Sequence, residues 1–287
     1  METYIVLYNP LSGNGRGGDA ARGIERFLPA GSIVYRDATK LSGFDEAIRA
    51  LATGEKPVIC GGDGTLNRFI NDVDGMELPD EVLYYGTGSG NDFLNDLGRK
   101  PEDGPVRINE YIRALPRVEV NGMSRLFLNG VGFGIDGYCC EEGDRIRASS
   151  DKPVNYTNIA IKGLLYAFKP VNAKVTVDGK TRTYEKVWLA PAMNGRCYGG
   201  GMFATPGQDR LDPERRVSVL VFRGTGKLRT LMIFPSIFKG EHVKHAKHCT
   251  VLKGNSVTVE FDRPTALQID GETVTNVTKY SVKTMRN

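Results

Sequence analysis

The 287-residue sequence is short of the residues on which several protein classes depend. It has five cysteines, an odd number, with Cys139 and Cys140 adjacent and Cys60 inside an apolar run. That excludes a disulfide framework and leads to the expectation of a reducing, cytoplasmic setting. Its three histidines, His242, His245 and His248, lie together beside Cys249. No second ligand cluster accompanies them, as a zinc domain would require, and Lys239, Lys244 and Lys247 interleave with them, so the segment reads as a basic surface. No apolar run approaches the roughly 20 residues of a membrane-spanning helix. The opening residues 3–8 are strand-like and lack the basic start and apolar stretch of a secretion signal. Charge is nearly balanced, 38 Lys and Arg against 34 Asp and Glu, for a net +4. That is too weak for a nucleic-acid footprint, so no nucleic-acid partner is expected, although phosphate ligands or anionic membranes remain compatible. No internal repeat and no low-complexity linker is found. The lone Trp188 lies in an apolar strand pattern and reads as core.

What is present is a change of texture partway along the chain. Up to about residue 100, short apolar runs at 3–8, 32–35, 57–60 and 82–85 alternate with amphipathic patterns at 19–27, 44–52 and 66–73. Strand–helix alternation of this kind predicts a parallel, doubly wound sheet covered on both faces. From about residue 117, period-two patterns dominate, at 117–120, 125–129, 173–177, 182–190, 217–222, 256–261 and 266–270, with one helical stretch at 155–168. Asp178-Gly179 and Asp270-Gly271 are hairpin-turn dipeptides. The second half is therefore expected to be a mainly antiparallel β-sandwich. The predicted division is 1–121 for a nucleotide-binding α/β domain and 122–287 for a β-rich domain, with the last strand free to pack back on the first.

Three glycine-rich loops follow strands of the first half: Asn9 to Gly18, Cys60 to Asn67, and Gly86 to Asp92. In α/β sheets ligands sit at the carboxyl ends of the strands, so the three are expected on one rim. None ends in the Gly-Lys-Ser/Thr of a Walker A loop, and the first breaks the G-x-G-x-x-G spacing of a dinucleotide fingerprint. Gly61, Gly62 and Gly64 let backbone approach a ligand, and Thr65 is placed to cap the helix that follows. Helix starts offer free N–H groups to anions. Asp63 stands out, because a carboxylate repels phosphate unless a cation or donor lies between them. Asp92 reads either as a metal ligand or as the N-cap of a helix. Residues Leu231, Ile233, Phe234, Ile237 and Phe238 read either as core or as a membrane-facing patch beside the basic run.

The motifs, taken together, resemble the diacylglycerol kinase catalytic family, the bacterial lipid kinases related to sphingosine kinases and NAD kinases. The matching pieces are Asn9-Pro10-x-Ser12-Gly13, Gly61-Gly62-Asp63-Gly64-Thr65-x-Asn67, Gly86-Thr87-Gly88-Ser89-Gly90-Asn91-Asp92-Phe93, and Gly132-Phe133-Gly134-Ile135-Asp136. They continue with Met193-Asn194-Gly195, Gly199-Gly200-Gly201-Met202, Ala204-x-Pro206, Asp209-x-Leu211-Asp212 and Asp270-Gly271-Glu272. Two positions depart from the family pattern. Gly88-Ser89-Gly90 stands where the family has a shorter Thr-x-Asn-Asp, and Arg210 stands where it often has Gly.

The resemblance implies an ATP-dependent lipid kinase that phosphorylates a lipid hydroxyl, most readily diacylglycerol, with ATP and Mg²⁺ as cofactors. It implies Asp270 as general base with Glu272 as electrostatic neighbour, and Asp63 in the catalytic set. Nucleotide contacts are expected from Asn9, Ser12, Gly13, Arg16, Gly61, Gly62, Gly64, Thr65, Asn67, Gly86, Thr87, Asn91 and Asp92. A catalytic Mg²⁺ is expected near Asp63, Asp92 and Asp136, since Mg²⁺ takes oxygen ligands and keeps several waters. A structural Mg²⁺ is expected on Asp209, Leu211 and Asp212. The lipid substrate implies peripheral contact with a membrane surface, and a homodimer stays open. An NAD kinase-like enzyme with a soluble substrate and a non-catalytic nucleotide or lipid sensor are the alternatives.

Overall fold

The computed structural model describes residues 2–10, 12–88, 90–149, 154–224 and 226–284, so Ser89 of the third glycine loop lies outside the described residues. The chain forms two compact units, Met1–Leu115 and Pro116–Asn287.

The first unit is built on strands β1 (Thr3–Tyr8), β2 (Ile33–Asp37), β3 (Glu55–Gly61), β4 (Leu83–Gly86) and β5 (Val106–Arg107), in the order β2-β1-β3-β4-β5. The first four are parallel and β5 runs antiparallel to β4. Ile5, Val6, Leu7, Val58, Ile59, Cys60, Tyr84 and Tyr85 are all buried. Continuous apolar runs, without alternation, are what strands covered on both faces require. Helices α1 (Ser12–Gly15), α2 (Gly17–Arg22), α3 (Phe44–Arg49), α4 (Asp63–Asp72), α5 (Asp92–Asp96) and α6 (Asn109–Ile112) connect them. Helix α4 buries Leu66, Phe69 and Ile70 at helical spacing, and Phe69 meets Phe44 of α3 edge-to-face at 5.6 Å. Its start lies earlier than the pattern at 66–73 predicts. Gly62 is the N-cap, so Thr65 falls inside the first turn and does not cap the helix. The chain leaves β1 toward β2 on one side and then crosses to β3 on the other. That reversal opens a crevice beyond the carboxyl ends of β1 and β3, where ligands of doubly wound sheets bind.

The second unit is antiparallel. It contains β6 (Arg117–Val120), β7 (Met123–Leu126), β8 (Gly130–Phe133), α7 (Ile135–Ser149), α8 (Tyr156–Lys162), β9 (Val171–Val177), β10 (Lys180–Leu189) and β11 (Ala192–Met193). It continues with β12 (Val217–Arg223), α9 (Lys227–Ile233), β13 (Cys249–Gly254), β14 (Ser256–Ile269) and β15 (Glu272–Lys283). The sheet order is β7-β6-β15-β14-β8-β11-β12-β10-β9, with β13 on β12. The runs at 256–261 and 266–270 belong to one strand, β14, whose register shifts in between. Its first half pairs with β9, Val257 opposite Val177, and its second half pairs with β8, Leu267 opposite Phe133. One bent strand shared by two neighbours turns the sheet around its own core. Phe133 and Phe261 stack in that core at 3.8 Å, and Trp188 is buried beside α9 residues Leu231 and Ile233. The last strand, β15, lies between β14 and β6.

One expected strand is cut short, and one expected helix keeps its extent but changes pitch. The strand predicted over 125–129 ends at Leu126, leaving 127–129 as a turn whose backbone groups face elsewhere. The helix predicted over 155–168 is α8 followed by a π-turn at Gly163–Ala167. Both hairpin dipeptides behave as their chemistry demands. Asp178 and Gly179 have φ of 47° and 78°, and Asp270 and Gly271 have 46° and 93°. Positive φ at both central residues is the signature of a type I′ turn.

Candidate functional site

In the first unit the glycine loops converge at the crevice. A pocket of about 110 Å³ is lined by Asn9 after β1, Ala38 and Thr39 after β2, Phe44 of α3, and Gly64, Thr65 and Arg68 of α4. The volume suits part of a nucleotide rather than a whole one, since sites for whole small molecules span roughly 300–1,000 Å³. Two glycines are dictated by close approach. A Cβ on Gly17 would lie 2.0 Å from the Asn9 carbonyl oxygen, and one on Gly88 would lie 2.6 Å from the Gly62 Cα. The second and third loops thus touch backbone to backbone, and Thr87 N–H donates to the Gly61 carbonyl at 2.9 Å. Ser12 closes the first loop by donating its hydroxyl to the Asn9 carbonyl at 2.8 Å. Arg16 is exposed and Asn67 is fully buried inside α4. Asn91 takes a left-handed conformation, φ 48°, and its Nδ2 donates to Gly88 at 2.7 Å while its Oδ1 is buried without a hydrogen-bond partner. Thr39, Phe44 and Arg68 were not anticipated. Arg68 was legible in principle, because it follows Gly64 by one helical turn and so shares its face.

Asp63 has a structural partner. Its Oδ2 accepts from Asp92 N–H and its Oδ1 from Phe93 N–H, both at 3.0 Å. The N-cap residue of α5, Asn91, makes no side-chain capping bond. The carboxylate of α4 therefore satisfies the orphan N–H groups of α5 from another loop, the work usually done by an N-cap side chain. Asp92 is the first residue of α5, not its N-cap, and is buried. Gly86 ends β4 directly below: a Cβ there would strike Leu94 at 2.5 Å.

Asp136 belongs to the second unit. It lies in the first turn of α7 and is buried, with Oδ1 accepting from Gly137 N–H at 2.9 Å and Oδ2 from the Tyr198 hydroxyl at 2.8 Å. Burial pushes its pKa up to about 6, against the lowering effect of those two donors. Gly132 is needed beside it, since a Cβ there would lie 2.1 Å from Asp136 Oδ2. Tyr198 begins the Gly199-Gly200-Gly201 loop, whose glycines have φ of 63°, 80° and 101°.

Asp270 sits at the tip of the β14–β15 hairpin. Its Oδ1 accepts from Asn129 N–H at 2.8 Å and Gly130 N–H at 2.9 Å, and its Oδ2 accepts from Leu128 N–H at 2.5 Å. The turn at 127–129, read in sequence as strand, is bent so that consecutive N–H groups converge on one carboxylate. Glu272 begins β15 and is ion-paired with Arg125 at 2.5 Å. Gln268 Oε1 accepts from Gly271 N–H at 2.6 Å.

The loop carrying Asp209, Leu211 and Asp212 reaches the same turn. Arg210 donates to the Leu128 carbonyl at 2.6 Å and to Asn129 Oδ1, and Asn194 Nδ2 donates to the Leu128 carbonyl at 2.9 Å. Asp209 is exposed and accepts from Leu211 N–H at 2.9 Å. Asp212 is buried and ion-paired with Lys253 and Arg216. Among the described residues no three His, Cys, Asp or Glu side chains gather as a metal site.

The histidine segment is largely surface, with Lys239, Lys244, His245 and Lys247 exposed, and His242 is the exception. His242 is buried, its Nε2 lies 2.9 Å from the Ala204 carbonyl, and burial holds its pKa below the usual value. His248 Nδ1 lies 3.3 Å from the Arg223 carbonyl, while His245 is exposed.

Comparison with known proteins agrees with this architecture. Residues 3–118 match the family profile of the diacylglycerol kinase catalytic domain, and residues 129–283 match that of the YegS C-terminal NAD kinase beta sandwich-like domain. A diacylglycerol kinase of Mycobacterium tuberculosis (strain ATCC 25618 / H37Rv) is 27% identical over 251 residues, covering 83% of this chain and 79% of that protein. A diacylglycerol kinase of Bacillus subtilis (strain 168) is 23% identical, covering 95% and 90%. A crystal structure of a diacylglycerol kinase from Bacillus anthracis str. Sterne superposes with a TM-score of 0.62 at 18% identity, covering 99% of this chain and 94% of that one.

Two substitutions test this geometry. Asp63→Asn offers one acceptor where the carboxylate offers two, and turns its amide toward an N–H donor. A loss of about 1–2 kcal/mol is expected, with faster amide exchange at Asp92 and Phe93. Unchanged exchange there would mean that Asp63 does not hold α5. For Asp136, the ordinary carboxyl value is 3.8 and the folded value about 6. Between those values the folded state binds the extra proton, so stability falls as pH rises through the window, and the full cost is present above about pH 6. Asp136→Asn should raise Tm above that pH, by the equivalent of up to about 3 kcal/mol, with the gain vanishing below the window. A pH-independent difference in Tm between the two proteins would contradict the buried-carboxylate account.

Proposed function

Because the chain belongs to the diacylglycerol kinase family, with that family's catalytic domain followed by a YegS-type β-sandwich domain, we propose that it transfers the γ-phosphoryl group of ATP to the hydroxyl of a membrane lipid, diacylglycerol being the first candidate. The observation that carries the reading is the pocket at the β1/β3 crossover, where Asn9, Gly64, Thr65 and Arg68 meet. Backbone N–H groups of a helix start, two side chains able to hydrogen-bond and a guanidinium suit phosphate oxygens. Phosphoryl transfer is mostly positioning and charge neutralisation, so a rigid rim of this composition is the main requirement. A divalent cation bound with the nucleotide would offset phosphate charge, with Asp63 and Asp92 as the carboxylates beside it. In this reading Asp63 has two tasks, seating the start of α5 and standing beside the cation.

Asp270 is the proposed general base. Three backbone N–H groups fix the orientation of its carboxylate, so the proposed base is held in place before the acceptor hydroxyl arrives. Glu272, ion-paired with Arg125, is its proposed electrostatic neighbour and not a proton carrier.

A lipid acceptor, in preference to a soluble dinucleotide, is supported by an exposed apolar patch. Leu228 and Met232 of α9 are 74% and 68% exposed, and Tyr166 in the adjoining π-turn is 76% exposed. Lys227 ties the two together by donating to the Leu165 carbonyl at 2.7 Å. Arg229 is exposed on α9, and Lys162 at the end of α8 and Lys169 just after the π-turn are exposed as well. Apolar side chains rimmed by cations suit peripheral contact with an anionic bilayer. The reading of 231–238 divides accordingly: Ile233 and Ile237 are core, while Met232 and Phe238 face outward. Lys244, farther along, is paired with Glu241 at 2.7 Å.

Asp270→Asn should lower kcat by roughly 10²–10⁴-fold while moving the KM for ATP little, as loss of a general base does. Its Tm, measured in parallel, separates this from a structural role. A variant that loses Tm but keeps kcat would leave Asp270 as a staple only. Leu228→Glu with Met232→Glu should abolish co-sedimentation with anionic vesicles and turnover of vesicle-borne diacylglycerol, and spare a short-chain soluble analogue. Equal losses on both substrates would remove this patch from membrane contact.

A further inference from the structure

The loop at 208–216 carries the oxygens on which a structural Mg²⁺ is expected, yet its geometry has another logic. Asp212 is buried, and its Oδ2 accepts from the Lys253 ammonium and from Arg216 Nε and Nη2 at 3.3 and 3.2 Å. Its Oδ1 accepts from Glu214 N–H at 2.8 Å. Burial raises the pKa of this carboxyl, but the lysine, the Glu214 N–H and the guanidinium together hold it below the ordinary value. Lys253 is presented by β13, opposite Ser218 of β12. Asp209 turns its Oδ1 back to Leu211 N–H, and its carbonyl oxygen accepts from Asp212 N–H at 3.2 Å and Gln208 Nε2 at 3.1 Å. Gln208 also donates to the Arg216 carbonyl at 2.9 Å and accepts from the Ser218 hydroxyl at 2.6 Å, so the two ends of the loop are joined by neutral hydrogen bonds. A divalent ion at Asp212 would lie against an ammonium and a guanidinium already on the same carboxylate, and like charges at that range repel.

We propose that in this chain Lys253 and Arg216 take the place of a divalent cation on Asp212, so that the 208–216 loop is held without metal. The departure at Arg210 belongs to the same arrangement. Its guanidinium spans to the Leu128 carbonyl and Asn129 Oδ1, and the N–H groups of Leu128, Asn129 and Gly130 seat Asp270. The internal cations thus fix the loop, and the loop fixes the turn beneath Asp270, with no dependence on free divalent ion. A buried carboxylate stripped of its partner is costly, which makes the lysine sensitive to replacement.

The test uses the full chain without nucleotide, so it does not depend on the kinase reading. Wild-type Tm and amide exchange of residues 209–216 and 127–130 are measured with millimolar Mg²⁺ and with a chelator. The two conditions should coincide in this region. Mg²⁺-dependent protection confined to 209–216 would overturn the proposal. Lys253→Met should lower Tm by roughly 5 °C or more and speed exchange across both segments. Lys253→Arg, which keeps the charge, should stay near wild type. If the methionine variant exchanges like wild type, or if the arginine variant is as damaged as the methionine one, the lysine is not acting as the cation. Should the methionine variant fail to fold, Arg210→Ala supplies the second reading: faster exchange at 127–130 supports the link, and wild-type exchange there refutes it.

Discussion

Each unit depends on a carboxylate that accepts N–H groups of consecutive residues from a distant segment. In the first unit Asp63 takes those of Asp92 and Phe93; in the second Asp270 takes those of Leu128, Asn129 and Gly130. Hydrogen bonds with a charged acceptor are about twice as strong as neutral ones. They also act across 29 and 142 residues, from Asp63 to Asp92 and from Leu128 to Asp270, so each closes a long loop. The surrounding glycines follow from this constraint. The loops must come close enough for bonds of 2.5–3.0 Å, and at Gly62 and Gly88 a side chain would hold them apart.

The proposed chemistry uses the same atoms. A group that must hold a proton or sit beside phosphate works best when its orientation is already set, because the cost of ordering it has been met in folding. Asp63 and Asp270 satisfy that condition. Asp136 follows another course: it is buried, its oxygens are engaged by Tyr198 and Gly137, and burial lifts its pKa to about 6. It stands where α7 packs over β14, and a Cβ on the neighbouring Gly137 would lie 2.0 Å from the Ala266 carbonyl oxygen.

Much of the architecture was legible because its signals are local. Apolar runs alternating with helical periodicity identify the parallel sheet, and period-two runs with Asp-Gly turns identify the antiparallel one. Failures occurred where a distant partner overrides a local pattern. Residues 127–129 look like strand and form a bend because Asp270 attracts the N–H groups of Leu128 and Asn129. Two runs around 262–265 look like separate strands and are one, because β9 and β8 claim its two halves. His242 reads as surface among lysines, yet it is buried against Ala204. β15 escaped notice because its polar side chains, such as Thr273, Asn276 and Lys279, blur the alternation.

By itself the sequence determined the two-part fold, the family and the chemical alphabet of the site: glycine loops, three conspicuous aspartates and the Asp-Gly-Glu tip. These follow from residue type and spacing along the chain, which are one-dimensional properties. The tertiary structure alone decided what each carboxylate touches. It made Asp63 the cap of a helix from another loop, set Asp136 under Tyr198, gave Asp270 its three N–H donors, and brought Lys253 and Arg216 onto Asp212. Lys253 lies 41 positions beyond Asp212, and only the pairing of β12 with β13 brings it within reach. Charge interactions fall off with distance in space and are indifferent to separation in sequence, so no local pattern could have revealed that pair.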